Sequence, residues 1–199
     1  MPILDINGNP ITHLNTQSNI RNIEFGAGKN YFGKVLYPEC FLTDKNLPPL
    51  SHFTELPYYD KDSDCHYIDF ICDFDNHNFN EHTFDTIILC NPFGFGYSTL
   101  ILAQSFFNRV GDLLNDNGQV VVISSHTNIF GKQKNLQRFL DSTEPEFYSK
   151  YIFELESFEE LTPEHVIRLD FTFRKSCLDE IATPSQKMII RKIGIRNNG

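Results

Sequence analysis

The stretch NIEFGAGKNYFGKV (22–35) places Gly26, Gly28 and Gly33 behind a short apolar run and an acidic residue, Glu24. Glycines at such spacing let a backbone turn sharply and approach a nucleotide-like ligand closely. Two chemistries can be read into it. Gly28, four further residues, Gly33 and Lys34 approximate a loop that cradles a triphosphate, but the next residue is Val35, where a hydroxyl is needed to hold magnesium. The other reading uses Glu24-Phe25-Gly26-Ala27-Gly28, an acidic residue and two glycines closing a strand. Asn30, two positions on, tolerates left-handed backbone better than most residues.

Further polar residues stand at the ends of apolar runs. Asp44 closes ECFLTD (39–44), Asp73-Phe74 closes HYIDFICDF (66–74), and Asn91-Pro92-Phe93 follows TFDTIILC (83–90). The series continues with LLNDNGQVVVIS (113–124), which reads as a helix end, a glycine turn and a buried strand.

In this order, over residues 22–124, these landmarks resemble class I S-adenosylmethionine-dependent methyltransferases. The resemblance implies S-adenosyl-L-methionine as cofactor, with Glu24, Phe25, Gly26, Gly28, Asp44, Asp73, Phe74 and Asn91 around it. Asp44 would accept hydrogen bonds from both ribose hydroxyls, each charge-assisted bond contributing about 1.5–3 kcal/mol. Asp73 would take the adenine amino group, with Phe74 against the ring.

The same resemblance makes Asn91, Pro92 and Phe93 the catalytic residues. Family members that methylate planar amino groups carry (Asn/Asp/Ser)-Pro-Pro-(Tyr/Phe) here. The first side chain and a backbone carbonyl accept from the target amine, and the aromatic stacks on its ring. The present order is Asn-Pro-Phe-Gly-Phe-Gly, one proline short, with Phe93 or Phe95 available to stack. It reads equally as a strand-end turn built from a proline and two glycines. His126, after the fifth strand, and Tyr58-Tyr59 are weaker candidates. The acidic run ELESFEELTPE (154–164) reads as a solvated helix face or cap.

The elements that must position these residues follow from the apolar pattern. Strands are expected at 19–25, 39–44, 66–74, 83–90 and 119–124, as near-continuous Ile- and Phe-rich runs suited to burial on both faces of a parallel sheet. Helices are expected through YFGKVL (31–36), at 98–114 with Ser98 as N-cap and NDNG as exit turn, and at 135–142. VIRLDFTFR (166–174) and KMIIRKIGI (187–195) read as a closing strand pair. The fold class is therefore α/β, a Rossmann-like doubly wound, mostly parallel sheet with an antiparallel close. Residues 1–19 form an Asn-rich arm and 20–199 one domain. Prolines 48, 49 and 57 break the crossover helix expected within 45–65.

With 199 residues, 40% of them hydrophobic, the chain can bury a sizeable core. A net charge of -9 disfavours non-specific adhesion of the chain as a whole to nucleic acid or an anionic membrane, and argues against a stand-alone duplex DNA enzyme. From Arg168 onward there are 7 Lys/Arg against 3 Asp/Glu, read as a solvated strand pair and tail. Five cysteines without CxxC spacing and scattered histidines suggest neither disulfides nor a metal site, and Cys40, Cys72 and Cys90 lie in apolar runs. No signal peptide or membrane-length apolar run is visible, which implies a cytoplasmic setting. The expected activity is methyl transfer to a nitrogen or oxygen of an acceptor of unspecified class (small molecule, protein or RNA). The alternative is a methyltransferase-fold binding or regulatory module without turnover.

Overall fold

The computed structural model describes residues 20–27, 32–37, 39–45, 69–79, 82–162 and 184–196. The arm at 1–19, Gly28, Tyr58-Tyr59 and the strand expected at 166–174 lie outside the described residues.

Among the described residues seven strands form one sheet in the order β3-β2-β1-β4-β5-β7-β6. They are β1 (Asn22–Phe25), β2 (Phe41–Asp44), β3 (Phe70–Ile71), β4 (Phe84–Cys90), β5 (Leu114–Ser124), β6 (Tyr151–Glu160) and β7 (Gln186–Ile195). Strands β1 to β5 pair in parallel, and β7 runs antiparallel to both β5 and β6. The chain thus reverses its direction of growth between β1 and β4, the place in an open α/β sheet where a crevice forms at the carboxyl ends of the strands.

Each face of the sheet has its own core. Helices α2 (Leu100–Leu113) and α3 (Gln133–Leu140) lie over Ile23, Phe25, Ile87, Leu89, Val120 and Val122. The short α1 (Phe32–Leu36) belongs to the opposite face, with Leu42, Ile88, Cys90, Val121 and Ile123. Helices on both faces explain the unbroken apolar run Ile87–Cys90 in β4. Phe107 on α2 is the hub of the larger core. Its ring stacks on Phe139 of α3 at 4.9 Å and meets Phe153 of β6 at 4.8 Å, tying three elements together.

Several boundaries differ from expectation, each for a local reason. Thr99 rather than Ser98 caps α2, its hydroxyl accepting from the Leu102 amide at 3.2 Å. NDNG is the irregular start of β5, with Asn117 at φ 60° and a register shift against β4. The third strand ends at Ile71, short of the expected 74, because Asp73 turns the chain: its carboxylate accepts from the Asp75 amide and the Asn76 side chain; residues 66–68 lie outside the described residues. The acidic run is neither helix nor cap. Its glutamates decorate β6, which is the partner of β7 in the antiparallel close.

Phe107→Ala is expected to lower the unfolding free energy by about 3–5 kcal/mol in urea titration, through lost contacts and the cavity left behind. Ile101→Ala, on the solvent side of the same helix, is expected to change it by about 0.5 kcal/mol or less.

Candidate functional site

The glycine turn sits at the carboxyl end of β1, beside the point of reversal. Gly26 has φ +67°, and a Cβ there would stand 3.1 Å from the ring of Phe95. Only glycine is unstrained in that backbone. The Ala27 amide donates to the Thr43 carbonyl at 2.9 Å, and the Thr43 hydroxyl donates to the Glu24 carbonyl at 2.8 Å. These bonds bring the turn alongside Asp44, which is half-buried at the end of β2.

Glu24 is wholly buried under α1. Its Oε2 accepts from the Gly33 amide at 2.6 Å, while Oε1 has no hydrogen-bond partner among the described residues. A Cβ on Gly33 would fall 2.8 Å from that carboxylate oxygen and 2.7 Å from the Cys40 sulfur. Gly33 therefore lets the helix close onto the strand and its acid. Burial pushes the Glu24 carboxyl up to about 8; the Gly33 hydrogen bond opposes that shift and the Asp44 charge adds to it. Lys34, the lysine of the triphosphate reading, is committed to Asp69 at 2.8 Å.

Of the remaining predicted contacts, Phe25 is a core residue whose ring meets Phe74 and Phe79, so only its backbone faces the turn. Phe74 is also buried, edge-on to Phe25 and stacked on Phe95 at 5.2 Å. Asp73 lies nearby with Lys45 at 3.7 Å. Bonds from the Asn76 side chain and the turn amides, with the Lys45 charge, hold its carboxyl below the usual range despite some desolvation.

The corner after β4 is more tightly built than its sequence shows. Asn91 has left-handed backbone (φ 44°), its amide donates to the Ile123 carbonyl, and its side-chain oxygen accepts from the Ser125 amide at 2.8 Å. The Pro92 carbonyl accepts from the Asn128 side chain at 3.0 Å. Both groups expected to receive an acceptor's amine therefore already hold the loop after β5. Phe93 points outward, 86% exposed, its edge against Phe130 at 5.7 Å. His126 is exposed and bonded to Ser185, away from any carboxylate partner among the described residues.

Sequence reasoning missed Gly33 as a packing glycine, Phe95 as the ring over Gly26, and Asn128 as the clamp on Pro92. The signal for Asn128 was present in TNIFG: a side chain two residues before an amide it can accept from, here Phe130 at 2.9 Å.

No family model and no curated protein matches the sequence. Solved structures do. The antibiotic-resistance methyltransferase Kmr superimposes with TM-score 0.57 at 11% identity, covering 98% of this chain and 100% of Kmr. The 30S ribosomal A1408 methyltransferase from an uncultured bacterium gives 0.56 at 11% identity, over 96% of this chain and 100% of its own. The 16S rRNA methyltransferase KamB gives 0.56 at 9% identity, over 97% and 99%. At these identities the likeness is one of fold: this chain has the Rossmann-like class I methyltransferase fold.

Glu24 makes stability depend on pH. Its carboxyl is raised in the folded state, so the unfolded chain releases that proton first. Stability is expected to be greatest below about pH 4.5, to fall by at most about 1.4 kcal/mol per pH unit from there toward pH 8, and then to level off on this account. Glu24→Gln keeps an acceptor for Gly33 and should flatten that slope in urea titrations at pH 5, 6.5 and 8; an unchanged slope would assign the dependence to other groups.

Proposed function

We infer that this chain, built on the class I methyltransferase fold, binds S-adenosylmethionine at the carboxyl edge of its sheet and methylates a nitrogen or oxygen of an acceptor held at the Asn91–Phe93 corner. The observation carrying this reading is the coincidence of the glycine turn, Asp44 at the end of the neighbouring β2 and the Asn-Pro-Phe corner at the reversal between β1 and β4. A crevice there is where an open α/β sheet binds a ligand.

The residues present fit the cofactor. Gly26 offers backbone without a side chain, Asp44 offers a half-buried carboxylate beside it, and Glu24 keeps one buried oxygen without a described partner. In this reading Gly26 and Gly28 approach the cofactor through backbone, Asp44 accepts from the ribose hydroxyls, and Asp73 uses its remaining lone pairs for the adenine amine. Phe25 and Phe74 support this surface from below; Phe95, lying over Gly26, is the ring nearest to it. When bound, S-adenosylmethionine supplies an electrophilic methyl carbon on a cationic sulfur. The protein's contribution is alignment, since a direct displacement gains most from holding the reacting atoms in line. Phe93 presents an open ring face for a planar acceptor, and Asn91 with Pro92 fixes where that ring stands.

The binding-module reading has one specific observation in its favour: the Asn91 and Pro92 oxygens are engaged by Ser125 and Asn128. A corner so occupied can serve a fold without turning over an acceptor.

S-adenosylhomocysteine is expected to raise the melting temperature by mass action on the native state, and ATP with magnesium to leave it unchanged. Asp44→Ala should weaken S-adenosylhomocysteine binding by about tenfold or more in calorimetry, with the fold retained. Stabilisation by ATP alone would reverse the choice of ligand.

Asn91→Ala separates the two readings. Loss of the Ser125 bond should cost about 1 kcal/mol of stability in either case. For an enzyme, methyl transfer should also fall by roughly a hundredfold with cofactor affinity near wild type.

A further inference from the structure

The described lysines and arginines fall into three groups. Arg21, Lys34, Lys45, Lys150, Lys187 and Arg191 stand against carboxylates. Arg109 and Lys192 donate to backbone carbonyls, and Arg196 lies over the Tyr148 ring. Among the described residues, only Lys132, Lys134 and Arg138 have no ionic, hydrogen-bond or aromatic partner for their charge. All three belong to α3 and its N-cap.

Their placement runs against the helix's own electrostatics. Lys132 and Lys134 sit at the positive end of the helix dipole, with no acidic residue in the first turn. Lys134 and Arg138, four residues apart and both exposed, repel each other across one turn. In a chain of net charge -9, carboxylates are plentiful, yet none among the described residues is set against these cations.

The helix joins the acceptor corner directly. Lys132 follows Phe130 and Gly131, and the Asn135 side chain donates to the Ile129 carbonyl at 2.7 Å, fixing the first turn of α3 to the rim. Ile129 is 52% exposed, and Phe93 stands beside Phe130 with an open face. An exposed aromatic on the rim from which a helix with uncompensated cations starts matches a strand of phosphates with unstacked bases. A duplex hides its base faces and spreads its charge along a length that an acidic protein repels.

We propose that α3 and the Phe93–Ile129 rim form the docking surface for a single-stranded polynucleotide, with Lys132, Lys134 and Arg138 on its phosphates and Phe93 under one of its bases. The inference rests on the methyl-transfer reading only for why a base is presented at this corner. The surface itself is defined by charge and exposure.

The test is fluorescence anisotropy with a short labelled oligouridylate, titrated with the full chain over a range of salt concentrations. Binding should weaken steeply with salt. Replacing all three cations by glutamine should lower affinity by at least tenfold and reduce the log–log salt slope by about 2, three phosphate contacts at ~0.7 each for a single strand. Phe93→Ala should weaken binding several-fold while leaving that slope unchanged, since stacking releases no counterions. A deoxyoligomer of the same sequence should bind comparably, and its duplex should compete poorly. Melting curves of the variants should match or exceed wild type, because like-charge repulsion is relieved. The proposal is overturned if the oligomer does not bind at low salt, if the triple variant keeps the wild-type slope, or if polyglutamate competes as well as the oligomer. S-adenosylhomocysteine binding, measured separately, keeps the two readings apart. Cofactor binding without oligomer binding removes this surface alone; the reverse removes the methyl-transfer reading and leaves the surface standing.

Discussion

The carbonyl oxygen of Gly131 receives three donors from three parts of the chain: the Tyr97 hydroxyl, the Ser124 hydroxyl and the Gln186 side-chain amide. Tyr97 belongs to the segment after β4, Ser124 ends β5 and Gln186 begins β7. Gln186 also donates to the Ser124 oxygen at 2.9 Å. The cluster is buried, so removing any one donor exposes no water to replace it, and the remaining polar atoms would be left short of partners. Everything on the rim of the crevice inherits its position from this point. The turn at Asn91-Pro92, the clamp from Asn128 and the entry into α3 all hang from segments that meet at Gly131.

That dependence explains which features the sequence discloses. The central strands declare themselves because burial on both faces demands unbroken runs such as TIIL in β4 and VVVI in β5. The glycine turn and Asp44 are equally visible, since a conformational requirement and a strand-end acid each restrict the residue type. The edge was harder. Sheet and helix compete for a sequence like ELESFEE, in which charged and apolar residues fit either period, and pairing with β7 decides it. Asp73 ended β3 early through side-chain bonds to its own turn, a local effect that apolar patterning does not register.

The candidate site was legible in its order along the chain and less so in its contacts. Glu24, Gly26, Asp44 and Asn91 do gather at the reversal of strand order. Their partners are another matter: Ser125 for Asn91, Asn128 for Pro92 and Phe95 for Gly26 come from segments that approach only when the sheet closes. Side-chain to backbone bonds across such distances leave no periodicity to read. Gly33 illustrates the same limit, since its spacing from Gly28 fits a phosphate loop while its packing against Glu24 serves a different purpose.

Among the described residues strand β6 lies at one end of the sheet, hydrogen-bonded to β7 alone. An outer strand is a template on which a second polypeptide can add, and long apolar ones promote aggregation. Here the outward half carries exposed Glu154, Glu156, Glu159 and Glu160, with a register irregularity between Leu155 and Ser157. Exposed charge, with Glu156 and Glu159 set against Arg191 and Lys187 of β7, and a broken ladder together make the described border a poor template, despite an exposed Phe158 in its midst. The glutamates that resemble a helix face in sequence act here as a fence along the described border of the sheet.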